Sequence, residues 1–368
     1  KVITDNLDTT NTLDSITVSD CTLDPAFNSA TTEYSCTVKN SVTSVNVNAQ
    51  ATSTKAKVRG LGTKELVEGK NTLPIRVIAE DGSEKIYNVN VTRKGEGKEL
   101  KSEIMKNTVV TANPTLTTSS NNTNDASGLY KSIATNTGEP TYYFRGNVTN
   151  NYVKFAGFIW RIVRVNEDGT VRIVMQDGIN SNGSYRYNLN YNNYTYMYYT
   201  NSEAKTTLEN WYQSNIGSKE DLAKSIASGD YYCEQAKAKS ASIWPQGNAN
   251  MILYSSYTPD FKCATDGNGK GLVNASVGLL SYDEVVYAGG YYNQNNSNYY
   301  LYNSSIAWWT MGPSNFCGEG SYIWYVSSAG AINCSNYDGR LLRPVLILTA
   351  DTQISDGDGT KENPFVVE

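Results

Sequence analysis

The first part of the chain alternates apolar and polar residues with a period of two. Between residues 12 and 93 this alternation recurs in several short segments, for example at residues 33–40 (EYSCTVKN) and 85–94 (KIYNVNVTRK). Successive side chains of a strand point to opposite faces of a sheet, so each segment predicts a half-buried strand. Turn signals recur about every 8 to 12 residues, with no helical pattern between them. The region therefore predicts one antiparallel β-sandwich.

The pattern changes after residue 94. Residues 95–127 are poor in large hydrophobic side chains, and within them only residues 99–106 suggest a short helix. Further on, apolar strand patterns such as residues 152–166 (YVKFAGFIWRIVRVN) occur together with short helical patterns such as residues 202–216 (SEAKTTLENWYQSNI). The sequence is therefore expected to be mainly β and to have three parts: a β-sandwich at 1–94, a linker at 95–127 and a larger α+β domain at 128–368.

Composition and charge narrow the range of functions. The chain has 368 residues, a net charge of −5 and no histidine. No basic patch stands out, so we expect no nucleic-acid partner. Without histidine, the usual general base of Ser and Cys hydrolases is missing. No other catalytic constellation is recognisable, so the sequence predicts a protein that is not an enzyme and needs no cofactor. It has no apolar run of about 18 residues, so we expect no membrane insertion within this chain.

The six cysteines form three pairs that are local in sequence: Cys21 with Cys36, Cys233 with Cys263, and Cys317 with Cys334. None has the CxxC spacing of zinc or redox sites. Neighbouring predicted strands favour three local disulfides, and six buried free thiols are the alternative. Because disulfides persist in oxidising compartments, we expect a secreted or cell-surface protein. Its targeting and anchoring segments would have been removed or would lie outside this chain.

The first domain carries a set of motifs spread over most of its length: Leu23-x-Pro25-x-Phe27, Gly69-x-Asn71, the turn Glu80-Asp81-Gly82 and the ending Tyr87-x-Val89-x-Val91-x-Arg93. With these motifs the segment resembles the cadherin-like β-sandwich repeat of bacterial surface proteins. The resemblance implies a spacer or adhesion module and not a catalyst. The cysteine pair is an addition to the usual pattern.

The second domain carries the motifs FIWRIVRVNEDGTVRIV, GLLSYDEVVYAGG, WWTMGPSNF and LLRPVLIL. With these it resembles a lectin-like domain found in Gram-positive gut bacteria, related in shape to formylglycine-generating enzymes and C-type lectins. The resemblance spans most of residues 128–368 and implies an α+β fold of C-type-lectin-like shape. The resemblance implies no particular activity, because none is settled for that family.

Aromatic and amide side chains suggest a binding surface in the second domain. Tyrosine and asparagine are frequent at residues 185–199 and 291–302, and such side chains make good contact surfaces at low entropic cost. The candidate ligand-binding residues are those around the late hairpins: Trp308, Trp309, Tyr322, Trp324, Asn333, Asn336 and Tyr337. The alternative is that the tryptophans belong to the core and the loops are soluble filler.

An acidic stretch near the end, DTQISDGDGT, is a weak calcium candidate through Asp351, Asp356 and Asp358. Carboxylate oxygens are the ligands that calcium prefers, but the stretch lacks the 12-residue spacing and the final glutamate of an EF-hand. A solvated turn is the alternative.

Three functions fit these features. The first is a surface adhesin or receptor that binds an extracellular glycan or protein through the second domain, with the β-sandwich as spacer. The second is a structural, pilin-like subunit of a surface filament. The third is an enzyme related to the formylglycine generators, which would need Cys317 and Cys334 as a free thiol pair. The sequence leaves homo-oligomerisation open.

Overall fold

The computed structural model describes residues 7–114, 116, 125–188, 190, 192–234, 258–263, 265, 268–317, 320–336 and 339–367. Within these residues strands predominate over helices, which confirms the predicted mainly β class. The chain divides into two compact units, Lys1–Gly97 and Lys98–Glu368. They are called the first and the second unit below. None of the described helices is long and apolar enough to cross a membrane.

The described residues of the first unit form strands β1 (Leu13–Val18), β2 (Glu33–Val38), β3 (Ser44–Ala51), β4 (Lys57–Arg59), β5 (Gly62–Glu65), β6 (Gly69–Ile78) and β7 (Glu84–Arg93). They make a sheet of order β1-β3-β5 and a sheet of order β2-β7-β6-β4. In β2, Tyr34, Cys36 and Val38 are buried and their neighbours are exposed. Both sheets contribute such residues to one core. The predicted β-sandwich is confirmed, although β2 pairs with β7 in parallel and not antiparallel.

Two of the three predicted disulfides are present. Cys21 and Cys36 are joined in the first unit, with their Cα atoms 5.7 Å apart. Cys233 and Cys263 are joined in the second unit, with a Cα separation of 5.5 Å. The third predicted bridge involves the side chain of Cys317, which lies outside the described residues, so this bridge stays a prediction.

The described strands of the second unit are β8 (Lys98–Glu99), β9 (Gly128–Ser132), β10 (Thr141–Arg145), β11 (Tyr152–Phe155), β12 (Phe158–Val165), β13 (Val171–Met175), β14 (Asp230–Cys233), β15 (Leu272–Asn274), β16 (Tyr291–Tyr292), β17 (Trp308–Cys317), β18 (Gly320–Val326), β19 (Ala331–Ser335), β20 (Val345–Leu348), β21 (Gln353–Asp356) and β22 (Phe365–Val367). The described helices are α1 (Leu100–Ile104), α2 (Glu203–Tyr212), α3 (Glu220–Ala223) and α4 (Tyr282–Ala288), with 3-10 turns at Tyr194–Met197 and Tyr199–Asn201 and a π-helical turn at Gln213–Gly217.

Sheets of three sizes organise these elements. The largest described sheet has nine strands and the path β20-β13-β12-β11-β22-β21-β8, with β10 and β9 attached beside β12. A second sheet has the order β16-β19-β18-β17, and β14 pairs with β15 alone. The helix predicted at residues 202–216 begins as expected, because the hydroxyl of Ser202 accepts a hydrogen bond from the Lys205 amide and caps α2.

The predicted linker is wrong over its first residues. Strand β8 pairs with β21, placing Glu99 opposite Gln353. Leu100 and Ile104, four residues apart on α1, are fully buried in the core of the second unit. Residues at this spacing share one helix face, so two apolar side chains suffice to anchor a turn of helix. The short helix expected at residues 99–106 is thus present as α1, but it belongs to the second unit and not to a linker.

The hairpin of β12 and β13 and the start of α4 bring charged side chains together in the second unit. The hairpin turn contains Glu167, Asp168 and Gly169, and Gly169 adopts a φ of +83° that favours glycine. Helix α4 begins with a capping box, in which the Ser281 hydroxyl and the Glu284 carboxylate each accept a backbone hydrogen bond from the other residue. Residues of both local structures line the cleft described next.

Candidate functional site

The three tryptophans predicted to bind ligand are core residues. Trp308, Trp309 and Trp324 are each only 1% exposed. The Trp324 ring lies 4.8 Å from the ring of Tyr282, and the Trp309 indole nitrogen donates a 2.8 Å hydrogen bond to the Tyr185 carbonyl. The prediction of ligand-facing tryptophans is therefore wrong. Large rings at the centre of a sheet bury the most apolar surface, and in this unit that contribution to the core outweighs exposure.

The remaining predicted binding residues do not form one patch. Tyr322, Asn333 and Asn336 are half-buried, and Tyr337 lies outside the described residues. On β18, Tyr322 is two residues from Trp324 and shares its face of the sheet. Asn333 pairs with Tyr325, which points to the opposite face. The sheet register thus separates Tyr322 from Asn333.

The tyrosine-rich stretches also contribute mainly to the core. The buried tyrosines in these stretches are Tyr187, Tyr198, Tyr199, Tyr291, Tyr299 and Tyr300. Burial raises the pKa of Tyr199 well above its usual value, because the phenolate would lose its hydration. Most of this aromatic density is therefore packing, although Tyr196 is exposed.

The acidic stretch near the end forms turns in which two of its carboxylates bind backbone amides. Asp351, Asp356 and Asp358 are all exposed. The carboxylate of Asp356 accepts a hydrogen bond from the Gly357 amide, and that of Asp358 accepts one from the Thr360 amide. These carboxylates therefore stabilise their own turns. Over the described residues, no group of three acidic or cysteine side chains is placed to hold a metal ion.

A cleft of about 220 Å³ that is lined by several charged side chains opens in the second unit. Its buried part is formed by Arg164 on β12, Arg172 on β13 and Glu284 on α4. The side chains of these three residues are 12%, 2% and 4% exposed. Charged side chains are seldom buried to this degree unless they are paired. Here the hairpin of β12 and β13 and a helix that lies 120 positions further along the chain bring them together.

Glu284 is held through both carboxylate oxygens. Its Oε1 lies 2.7 Å from Arg172 Nε and 3.4 Å from Arg164 Nε, and its Oε2 accepts a 2.9 Å hydrogen bond from the Ser281 amide. Arg172 also donates to the Tyr231 carbonyl at 2.8 Å. Two guanidinium groups thus share one carboxylate, so these three groups carry a net charge of +1. Burial lowers the pKa of Arg164 from its usual value.

The other charged residues that line the cleft are mostly acidic: Glu167, Asp168, Asp230 and Asp260, with the exposed Lys262 as the one base among them. Glu167, Asp168 and Asp230 are called the acidic lip. Burial alone would raise the pKa of Asp168, but hydrogen bonds from the Thr170 side chain and amide and from the Tyr231 hydroxyl outweigh it and lower the pKa. The Tyr231 hydroxyl donates to Asp168 Oδ2 at 2.8 Å. Asp168 is therefore a fixed, ionised acceptor at neutral pH.

Asn166 adds a buried polar group to the same lining. Its side-chain amide donates a 2.8 Å hydrogen bond to Thr170 Oγ1, whereas its Oδ1 is buried and makes no hydrogen bond with the described residues. An unpaired buried acceptor costs about 1–3 kcal/mol. The cleft therefore contains an acceptor that a hydroxyl or water brought by a ligand would satisfy.

The rings of Phe261 and Tyr231 line the cleft beside these charges. Phe261 stacks on Tyr287, with ring centroids 4.0 Å apart, and the Arg164 guanidinium lies 4.8 Å from the Phe261 ring centroid. Tyr231 is half-buried next to the acidic lip. The Cys233–Cys263 disulfide ties the segment that carries Phe261 to β14. An aromatic surface beside fixed hydrogen-bond acceptors suits a ligand with both apolar faces and hydroxyl groups.

The sequence does not predict this cleft, although it contains one signal of it. Arg161, Arg164 and Arg172 interrupt the apolar strand patterns IWRIVRVN and TVRIV. A basic residue inside such a strand predicts a buried ion pair. Its partner Glu284 lies 120 positions from Arg164 in the chain, so no local pattern could identify it.

The comparisons with known proteins support the first unit only. Residues 13–94 match the family model of the cadherin-like beta sandwich domain. No curated protein and no solved structure was found to match the chain. The match agrees with a surface or adhesion-type protein, and the two disulfides agree with an extracellular location.

Proposed function

We propose that this chain is an extracellular binding protein that holds a glycan in the cleft of its second unit, with the β-sandwich as spacer. The observation that carries the proposal is the fixed Asp168 carboxylate beside the half-buried ring of Tyr231. Ionised acceptors bind sugar hydroxyls strongly, and ring faces cover the apolar faces of sugars. The cadherin-like match and the disulfides support an extracellular setting. The lectin-like resemblance of residues 128–368 supports the same ligand class.

We favour binding over catalysis because the two acids best defined in the cleft are already engaged. Glu284 is held by Arg172 and the Ser281 amide, and Asp168 accepts hydrogen bonds from Thr170 and Tyr231. A general acid or base needs a pKa near the working pH, whereas the pKa of Asp168 is lowered. The enzyme alternative rests on Cys317 and Cys334, and the filament alternative rests on pairing between chain ends or edge strands. Both stay predictions.

A glycan array probed with the full chain tests the proposed function. We expect binding to a defined set of sugar structures, and this binding should be competed by the free sugar. The Asp168→Asn variant should lose this binding, and Asp351→Asn, a surface acid outside the cleft, should keep it. Signal that is equal across unrelated glycans, or unchanged in Asp168→Asn, would contradict the proposal.

A further inference from the structure

The two arginines of the cleft are not equally engaged. Arg172 is 2% exposed and donates to the Tyr231 carbonyl, and its Nε lies 2.7 Å from Glu284 as an ion pair without hydrogen-bond geometry. Arg164 is 12% exposed, and its contacts are all long: 3.4 Å to Glu284 and 3.3 Å to both Thr141 and Glu167. Its Nη2 makes no hydrogen bond with any described residue. Arg164 thus keeps part of its guanidinium fork available to the cleft.

A guanidinium with a free donor edge is best satisfied by a carboxylate, which it can bind through two parallel hydrogen bonds. The three buried groups Arg164, Arg172 and Glu284 carry a net charge of +1, so one negative charge placed beside Arg164 would neutralise them. The carboxylate of Glu167 already forms an ion pair with Arg164 at 3.3 Å, so a ligand carboxylate would compete with it for the guanidinium.

The acidic lip limits which anion fits. Glu167, Asp168 and Asp230 would repel a dianion such as a phosphate ester, while accepting hydrogen bonds from neutral hydroxyls. The unpaired Oδ1 of Asn166 is a further acceptor in this lining. The arrangement is therefore positive in its buried part and rich in acceptors at its mouth. It suits a molecule with one carboxylate and several hydroxyl groups.

We infer that the cleft selects carboxylated sugars, in which Arg164 binds the carboxylate and Asp168 and Asp230 of the acidic lip bind the ring hydroxyls. This inference rests on the proposed glycan-binding function and specifies its ligand class. Hexuronic acids and sialic-type sugars share the required chemistry. The two classes differ in their ring substituents, so titration of both shows which class of acidic sugar the cleft binds.

The test needs no variant at first. Calorimetric titration of the full chain compares glucuronate with glucose and galacturonate with galactose, and N-acetylneuraminate forms a separate arm. We expect at least one acid to bind about tenfold or more tightly than its neutral counterpart, or N-acetylneuraminate to bind where neutral sugars do not. Equal affinities within each pair, with no preference for N-acetylneuraminate, would overturn this inference and leave glycan binding intact. Failure of every sugar to bind would overturn both.

Two variants with opposite expected effects on the affinity for the acidic sugar distinguish a loss of carboxylate binding from a loss of folding. Arg164→Gln should abolish the preference for the acid over its neutral counterpart. Glu167→Gln should strengthen binding of the acid a few-fold, because it removes both a competitor for Arg164 and a like charge. A gain of affinity cannot come from misfolding, so this variant remains informative if Arg164→Gln is unstable. Weaker binding of the acid by Glu167→Gln would overturn the inference.

Discussion

The carboxylate of Glu284 and the guanidinium of Arg172 lie 2.7 Å apart inside the second unit, where their side chains are 4% and 2% exposed. Glu284 comes from the first turn of α4 and Arg172 from β13, so this ion pair joins a helix to the large sheet. A buried ion pair is costly to break, because the remaining partner is left charged and dehydrated. The pair therefore fixes both the local structure and the charge of the cleft.

Loss of the Glu284 charge should destabilise the second unit. In Glu284→Gln, Arg172 and Arg164 would share no carboxylate, and we expect a loss of about 3 kcal/mol in the free energy of unfolding. Urea denaturation of the second unit measures it. The matched control is Glu209→Gln, which breaks the more exposed pair with Lys205 and should cost less than about 1 kcal/mol. Equal effects of the two substitutions would contradict this account of the pair.

Replacement of a core tryptophan should affect folding first. Trp324 is 1% exposed and packs against Tyr282 and Tyr292, so Trp324→Ala should cost about 3–5 kcal/mol. Thermal melting measures this loss. If Trp324→Ala lost ligand binding but kept the wild-type melting temperature, Trp324 would instead be a binding residue.

The two disulfides should have different effects on binding. Cys233–Cys263 holds the segment that carries Phe261 at the cleft, whereas Cys21–Cys36 lies in the first unit. We expect the double variant Cys233→Ser with Cys263→Ser to weaken glycan affinity, and the variant Cys21→Ser with Cys36→Ser to leave it unchanged. Titration calorimetry compares them. Each loss should also lower stability by about 3 kcal/mol in its own unit.

Whether Cys317 and Cys334 form a disulfide can be tested on the wild-type chain. Peptide mapping under non-reducing conditions should find three local bridges, including one between these two residues. Two free thiols at these positions would contradict the predicted third bridge.

Acid should weaken the second unit through Asp168. Its pKa in the folded protein lies below the usual value of 3.8, so the folded state binds the proton less readily than the unfolded chain. The resulting stabilisation is present above pH 3.8 and is lost as the pH falls through the lower folded-state pKa. Asp168→Asn should therefore lose less stability than the wild type as the pH falls below the usual carboxylate pKa of 3.8. Identical pH profiles would contradict this role of Asp168.

The sequence predicts the first unit well because its signal is local. The alternation of Tyr34, Cys36 and Val38 with exposed neighbours gives both the strand and its buried face. The cleft has no such signal, because Arg164 and Glu284 meet only through the topology of the second unit. The sequence also cannot show that the three tryptophans are buried, for a related reason. An aromatic residue in a strand has the same local pattern whether it fills the core, as Trp324 does, or faces a ligand.

Whether a glycan binds in the cleft beside Asp168 can be decided by titration calorimetry. One glycan identified on the array is titrated into the wild type, Asp168→Asn and Asp351→Asn, each as the full chain. Asp168→Asn removes a fixed charged acceptor and should weaken binding about tenfold or more. Asp351→Asn removes an exposed charge outside the cleft and should bind as the wild type does. If Asp168→Asn, folded as judged by its melting curve, kept wild-type affinity, the ligand would bind elsewhere and the account of the cleft would be wrong.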